Sequence, residues 1–330
     1  MTTERPRPAM RSPLEGPFPT GPEVGERTPE FTLVDQAGRE VSFPSAAGEG
    51  GAVIVFHRGA AWCPFCRTQV LEMQRRLGDF EAAGVTVMAI SPDPPQALVD
   101  FAAQQGVTFP LLSDADSSVI RRFGILNTLI DPDEPFYGIP YPGVYVTDSE
   151  GVVRAKFFRR YYRERDTAET VLHEGLQIPV DMSANPAGRD GAEVSAVLGA
   201  PALAFRQRAN VYVRIALEAG THANGPAVAE GLIPTSVTVR APEQVGVGEA
   251  VYPSTRPFVV SGVAEPVPVF EGDVEIAVPI VSKFDEGESF PLEVEVRYQA
   301  CTERECLLPR TQVVRLEVPI VPLNRPPRRE

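Results

Sequence analysis

A short, solidly apolar run, Ala52-Val-Ile-Val-Phe56, leads into Cys63-Pro64-Phe65-Cys66, after which Val70, Met73, Leu77 and Phe80 recur at steps of three and four. Few features narrow the possible folds as sharply. The apolar run fits a strand buried on both faces. The stepping fits a helix of about five turns with one apolar stripe, and the cysteines lie at the junction. Val85 to Ile90 reads as the next strand, and Pro94 and Pro95 suit the opening turn of a helix carrying Leu98, Phe101 and Ala102 and ended by Gly106. Phe109 to Leu112 is a third strand, with Asp114 or Asp116 capping a helix through Ile120. Val144 to Thr147 and Val152 to Phe158 form a hairpin across Asp148 to Gly151, and Thr167 to Leu176 closes with a helix. The expectation is a compact α/β domain.

Beyond it the pattern changes. Val211 to Leu217, Thr235 to Val239, Val274 to Val281, Leu292 to Tyr298 and Thr311 to Val318 alternate, are rich in Val and are separated by Gly, Pro and acidic clusters. That spacing predicts an antiparallel β-sandwich of about seven strands. A chain of 330 residues exceeds one ordinary core, so two domains fit its length. The expected organisation is a disordered Pro-rich tail over 1–26, an α/β domain over 27–177, a linker over 178–189, the β-sandwich over 190–322 and a disordered tail over 323–330.

No uncharged apolar run approaches the roughly 18 residues of a membrane span. A net charge of −13 repels phosphate backbones and argues against nucleic acid as a partner. Residues 1–26 hold six prolines and no apolar signal segment, so the expected location is cytoplasmic, or extracytoplasmic if a leader was removed.

The four cysteines form two close pairs, Cys63/Cys66 and Cys301/Cys306. So long a chain needs no disulfide framework to fold, which leaves redox chemistry or metal binding. A C-x-x-C in a βαβ setting is a redox signal. Cys63 at a helix N-terminus meets unpaired N–H groups and the positive end of the helix dipole, so it is expected to be the exposed, acidic attacker. Cys66, one turn on, resolves the mixed disulfide, and Pro64 in the first turn costs no hydrogen bond. A zinc site shared by both pairs would require them to meet across two domains. His57 and His173 read as packed histidines without special duty, and no cofactor is implied.

Phe56-His-Arg-Gly-Ala-Ala-Trp-Cys-Pro-Phe-Cys66, with Ala89-Ile-Ser-Pro-Asp93 and Phe109-Pro-Leu-Leu-Ser-Asp114, resembles the peroxiredoxin-like AhpC/TSA branch of the thioredoxin superfamily over about residues 27–176. The resemblance implies a thioredoxin-like fold and puts Pro142 where that superfamily carries a cis-proline that helps dock an extended substrate. It also exposes a departure. Peroxiredoxins carry Pro-x-x-x-Thr-x-x-Cys. In that register Cys66 takes the peroxidatic place, Cys63 replaces the threonine and Gly59 the proline, which favours dithiol–disulfide exchange over peroxide reduction.

Cys301 and Cys306 flank four polar residues between two strands, a spacing that places them opposite each other in a hairpin. The pair is either an inert staple or an accessible redox centre. Gly220-Thr-His222, Gly231 to Thr235, Tyr252-Pro253, Val269 to Gly272 and Tyr298 to Pro309 are similar to the N-terminal, immunoglobulin-like domain of DsbD-type thiol:disulfide interchange proteins. In that family the pair passes electrons between a thioredoxin-like domain and partner disulfides; His222 matches a position of the pattern and is expected to be structural. The combined expectation is a thiol–disulfide oxidoreductase. Its catalytic cysteines are Cys63, Cys66, Cys301 and Cys306, and Trp62, Pro64, Pro142 and Tyr298 stand as substrate-positioning residues. Its partners would be a disulfide-bearing protein, or a small thiol or peroxide, and an external thiol reductant. The alternatives are a thiol peroxidase, with Cys66 oxidised and Cys63 resolving, and a binding module with structural cysteines.

Overall fold

The computed structural model describes residues 16–183, 191–259 and 265–327. The chain forms two units, Met1–Ile178 together with Pro322–Glu330, and Pro179–Val321.

The first unit runs β1 (Phe31–Asp35), β2 (Glu40–Phe43), β3 (Gly51–Phe56), α1 (Pro64–Arg75), α2 (Leu77–Ala82), β4 (Val85–Ser91), α3 (Pro95–Gln105), β5 (Leu111–Ser113), α4 (Ser118–Arg122), β6 (Gly143–Thr147), β7 (Val153–Phe158), the short β8 (Arg165–Asp166) and α5 (Ala168–Thr170), which continues as a π-helical turn over Val171–Gly175. Seven strands form one sheet in the order β2-β1-β5-β4-β3-β6-β7. β3, β4 and β5 are parallel neighbours, and the other pairs are antiparallel. Every residue of β3 is buried, as its unbroken apolar run requires. Val53 and Val55 face α1, α2 and α3 through Val70, Met73, Phe80, Leu98 and Phe101. Ile54 and Phe56 face Ile120, Phe123 and Tyr145 on the opposite side.

The single long helix expected after the first cysteine pair is two. It breaks at Arg76, whose guanidinium pairs with Asp79 at 2.6 Å and Glu169 at 3.1 Å, next to the weak helix former Gly78. Asp114 caps α4 by accepting from the Val119 and Ile120 N–H groups at 3.1 and 2.8 Å.

Both expected tails need correction where they are described. Residues 16–26 lie along the sheet. The Tyr145 hydroxyl donates to the Thr20 carbonyl at 2.5 Å, Lys156 Nζ reaches Thr20 Oγ1 at 2.9 Å and Glu23 at 2.7 Å, and the Gly25 N–H donates to Val153 O at 2.9 Å. Pro17, Pro19 and Pro22 stiffen this stretch, and its backbone groups find partners on the sheet rim. The other end is also tied down. Asn324 accepts from Arg67 Nε at 2.7 Å, donates its side-chain amide to Gln105 at 2.7 Å and its backbone N–H to Thr68 Oγ1 at 2.9 Å. Residues 1–15, 328–330 and 184–190, the last including half of the expected linker, lie outside the described residues.

The second unit is all-β. Its strands are β9 (Ala192–Leu198), β10 (Gln207–Leu217), β11 (His222–Asn224), β12 (Ser236–Arg240), β13 (Val245–Val247), β14 (Arg256–Phe258), β15 (Val267–Glu271), β16 (Asp273–Ser282), β17 (Ser289–Tyr298), β18 (Ala300–Cys301) and β19 (Arg310–Pro319). β9, β10, β16 and β13 pair in that order, β14-β15-β11-β18 form a second sheet and β12-β17-β19 a third, all antiparallel. Alternate residues point inward: Val211, Val213 and Ile215 meet Ile276, Val278 and Ile280, together with Leu292, Val294 and Val296. The five longest runs of alternation are strands. The additional strands are short, or, like β9, mix Ala and Ser into the buried face.

Candidate redox sites

β3 delivers the first site. Its pairing with β4 continues one residue past the strand, the His57 N–H donating to Ile90 O at 3.0 Å. The chain then turns through Gly59 to Trp62 and enters α1, with Cys63 as the N-cap residue and Pro64 in the first turn. Two anchors fix this turn. The Ala60 N–H donates to Asp93 at 2.5 Å, and Arg67, one turn into the helix, donates to the Ala60 carbonyl at 2.8 Å. The Cys63 and Cys66 sulfurs are thereby held 2.7 Å apart, both as free thiols.

The structure differs from the expectation in exposure and in which thiol is the more acidic. Cys63 is 1% exposed rather than solvent-facing, and Cys66 is 0% exposed. Burial pushes the Cys63 thiol well up, and its hydrogen bond to Cys66 and the neighbouring Cys66 charge push it further. Burial also works against ionisation of Cys66. It is outweighed by the hydrogen bond from Cys63, by the adjacent His57 and by the charge of Arg165, which together hold this thiol well below its ordinary range. Cys66 Sγ accepts from the Arg58 backbone N–H at 3.4 Å and from Arg165 Nη2 at 3.7 Å. The helix dipole alone does not select the acidic sulfur. The Cys63 side chain accepts no capping hydrogen bond from the helix N–H groups, whereas Cys66 collects the donors.

Arg58 and Arg165 are themselves buried, at 2% and 4% exposure. The Arg58 guanidinium lies over Trp62 at 5.1 Å and Tyr162 at 4.3 Å, and Trp62 packs against Phe136 in a tilted pair with ring centroids 4.7 Å apart. Arg165 is oriented by the Tyr162 and Glu164 carbonyls. His57, expected to be a packing residue, is wholly buried beside Cys66, whose ionisation it favours, and its ring nitrogens have no other hydrogen-bond partner among the described residues. His57 and Arg58 belong to the same short stretch as the cysteines. Arg165 stands 99 residues from Cys66, beyond any local pattern.

Trp62 and Pro64 border the pair. Pro142 is buried at the start of β6, but the cis peptide bond lies at Phe43–Pro44 and the Tyr141–Pro142 bond is trans. Trans is the cheaper isomer of an X-Pro bond, and here the Tyr141 N–H pairs with Ile125 O at 2.7 Å. Tyr298 is wholly buried in the second unit, its hydroxyl reaching Ala192 O at 3.5 Å, which makes it a packing residue.

The second pair is a disulfide, Cys301–Cys306, with Cα atoms 3.9 Å apart. The turn between them closes through Thr302: its N–H donates to Glu305 O at 2.8 Å and its hydroxyl accepts from the Arg304 and Glu305 N–H groups. Cys301 is buried in β18 opposite His222, which stacks on Phe258 at 4.1 Å. Cys306 is exposed, so a thiol arriving from solvent meets Cys306 first. Joined to each other, these cysteines are not free to share zinc with Cys63 and Cys66. Among the described residues no cluster of three or more His, Cys, Asp or Glu is arranged for a metal, and no helix is long and apolar enough to cross a membrane.

Comparison with known proteins matches residues 24–156 to the AhpC/TSA family and residues 198–318 to the N-terminal domain of the thiol:disulfide interchange protein DsbD. A putative peroxiredoxin of Mycobacterium tuberculosis is 39% identical over 133 residues, spanning 39% of this chain and 80% of the relative. Peroxiredoxin Bcp of Escherichia coli K12 is 30% identical over 139 residues, 41% of this chain and 85% of the relative. A peroxiredoxin-like protein from Aquifex aeolicus aligns in three dimensions with a TM-score of 0.42 at 23% identity, covering 49% of this chain and 89% of the other.

Proposed function

The chain belongs to the AhpC/TSA family through its first domain and is a thiol-based oxidoreductase; from this we propose that it reduces small peroxides at Cys66. The observation that carries the reading is a thiolate-favouring Cys66 with no exposed surface, ringed by the Arg58 N–H and the Arg165 guanidinium. Hydrogen peroxide, close to water in size, is the oxidant that most readily reaches so enclosed a sulfur. The curated relatives named peroxiredoxins support the same substrate class.

In this mechanism the Cys66 thiolate attacks the terminal peroxide oxygen and the O–O bond breaks. The departing oxygen takes up a proton as water or alcohol, leaving Cys66 as a sulfenic acid. Cys63, in contact at 2.7 Å, attacks that sulfur through its own, water departs, and a Cys63–Cys66 disulfide forms. Two electrons must then return. A reduced Cys301/Cys306 dithiol supplies them and becomes the disulfide found in the second unit, to be recharged by an external dithiol. The match of that unit to the DsbD N-terminal domain supports this relay.

A second reading, exchange with a small disulfide, is favoured by the cysteine standing where the family motif has threonine. One experiment separates the two. The fully reduced chain is mixed with one equivalent of hydrogen peroxide and its cysteine peptides are analysed by mass spectrometry. Rapid conversion to a Cys63–Cys66 disulfide is expected, with Cys66 sulfenic acid accumulating in Cys63→Ser. Consumption no faster than free cysteine would sink the peroxidase reading and leave disulfide exchange.

A further inference from the structure

Peroxide reduction at Cys66 needs one proton that neither the peroxide nor the Cys63 thiol supplies. A thiolate, a thiol and a peroxide yield a disulfide, an alcohol and a hydroxide; the alcohol and water actually formed require the proton that Cys66 gave up on ionising. The site is sealed from solvent, with Cys63 and Cys66 at most 1% exposed. That proton must therefore cross protein to bulk water in each cycle or be kept beside the sulfurs.

Several groups face the pair and most cannot keep it. Arg58 and Arg165 offer guanidinium donors and no acceptor site. The Cys63 thiol is consumed in resolving the sulfenic acid. Tyr162 lies under the Arg58 guanidinium at 4.3 Å. Asp93 is engaged by the Ala60 N–H and the Ser91 hydroxyl, at 2.5 and 2.9 Å. His57 is the exception. It sits just past the end of β3, is 0% exposed, and its ring nitrogens pair with nothing among the described residues but the neighbouring Cys66 sulfur. A buried polar ring whose partner is only a thiol is costly in a core, a cost a packing residue such as Phe would avoid.

We propose that His57 holds the proton that leaves Cys66 and returns it to the departing oxygen. This rests on the peroxidase reading for its acceptor, but the proton pairing itself does not. The transfer from Cys66 Sγ to the imidazole makes a thiolate and an imidazolium and leaves the net charge of the sealed site unchanged. Attack by the thiolate breaks the O–O bond, the imidazolium N–H protonates the alkoxide or hydroxide, and His57 is neutral again. The thiolate favours the charged ring, and the two guanidiniums oppose it until that thiolate has formed.

The decisive measurement needs no variant. Nuclear magnetic resonance of the full chain labelled with nitrogen-15 in its three histidines reports the charge of each ring. At neutral pH the His57 ring is expected to be charged in the reduced protein and neutral once Cys63 and Cys66 are joined, with His173 and His222 unmoved. Rapid mixing of His57→Gln with hydrogen peroxide should show a loss of about a hundredfold or more in the rate of Cys66 oxidation, the scale of general acid–base catalysis. A ring equally charged in both redox states, or a His57→Gln rate within about twofold of wild type, would overturn the proposal. If wild type consumed peroxide no faster than free cysteine while the ring charge still followed the redox state, the peroxidase reading would fall and the proton pairing would stand.

Discussion

At Gly59 a side chain has no room: a Cβ there would run into the Trp62 indole nitrogen. The family motif places proline at this position and threonine at Cys63, and both departures belong to one rearrangement. The indole packs over the turn and stacks on Arg58, and Cys63 takes the hydrogen-bonding place beside Cys66. A pH prediction follows at this scale. Cys66 is held well below the ordinary thiol value of about 8.5. Its thiolate, and the rate of its reaction with hydrogen peroxide, should persist below that value and fall only as pH drops through the depressed one. The stability it contributes has the same sign, present above the unfolded-state value and lost as pH falls through the folded one. Stopped-flow rates between pH 5 and 9 test this, and a rate that climbs only above about pH 8 contradicts it. The C-x-x-C and its chemistry were legible in the sequence, but which sulfur is acidic was not. That choice depends on Arg165, brought in by distant chain, and on burial, which a dipole argument leaves out.

Helices and strands were legible where periodicity is long. β3, β4, α3 and the β6–β7 hairpin follow from apolar runs and punctuation by Pro, Gly and Asp. The break at Arg76 was not, because it answers to Glu169 on a distant element. Nor were β1 and β2 individually distinguished, since each is half exposed and only four or five residues long. Composition misjudged the ends of the chain because proline content reports local stiffness, whereas order at residues 16–26 and at Asn324 comes from partners elsewhere. Asn324 provides the test. Its side chain ties Arg67 to Gln105, and Arg67 in turn holds the Ala60 carbonyl of the turn before Cys63. Asn324→Ala should cost about 1–3 kcal/mol of unfolding free energy, as for a charged and a neutral hydrogen bond, measured by urea denaturation. An unchanged midpoint would show this contact to be idle.

Across the whole molecule, each unit has its own core, and each carries one cysteine pair on a different kind of scaffold. The change of periodicity near residue 190 announced this arrangement in the sequence. The two pairs differ in accessibility: the first is sealed, whereas the second presents Cys306 to solvent at a turn tip. If the second pair feeds the first, replacing both Cys301 and Cys306 by Ser should leave the first peroxide turnover intact and abolish sustained turnover with a protein dithiol as reductant. Comparing burst with steady state checks this, and steady turnover equal to wild type would make the pair a staple. In either case, losing so short a cross-linked loop should destabilise the second unit by about 2 kcal/mol.

The chain contains one tryptophan, and it is Trp62. Its indole sits against the Arg58 guanidinium and the Phe136 ring, next in sequence to the first of the reacting sulfurs. Light absorbed by that indole is thus emitted from within a residue's length of the chemistry, and thiolates and disulfides both quench such emission to different degrees. The protein carries its own optical gauge of oxidation, readable in unlabelled material and unmixed with any other indole signal.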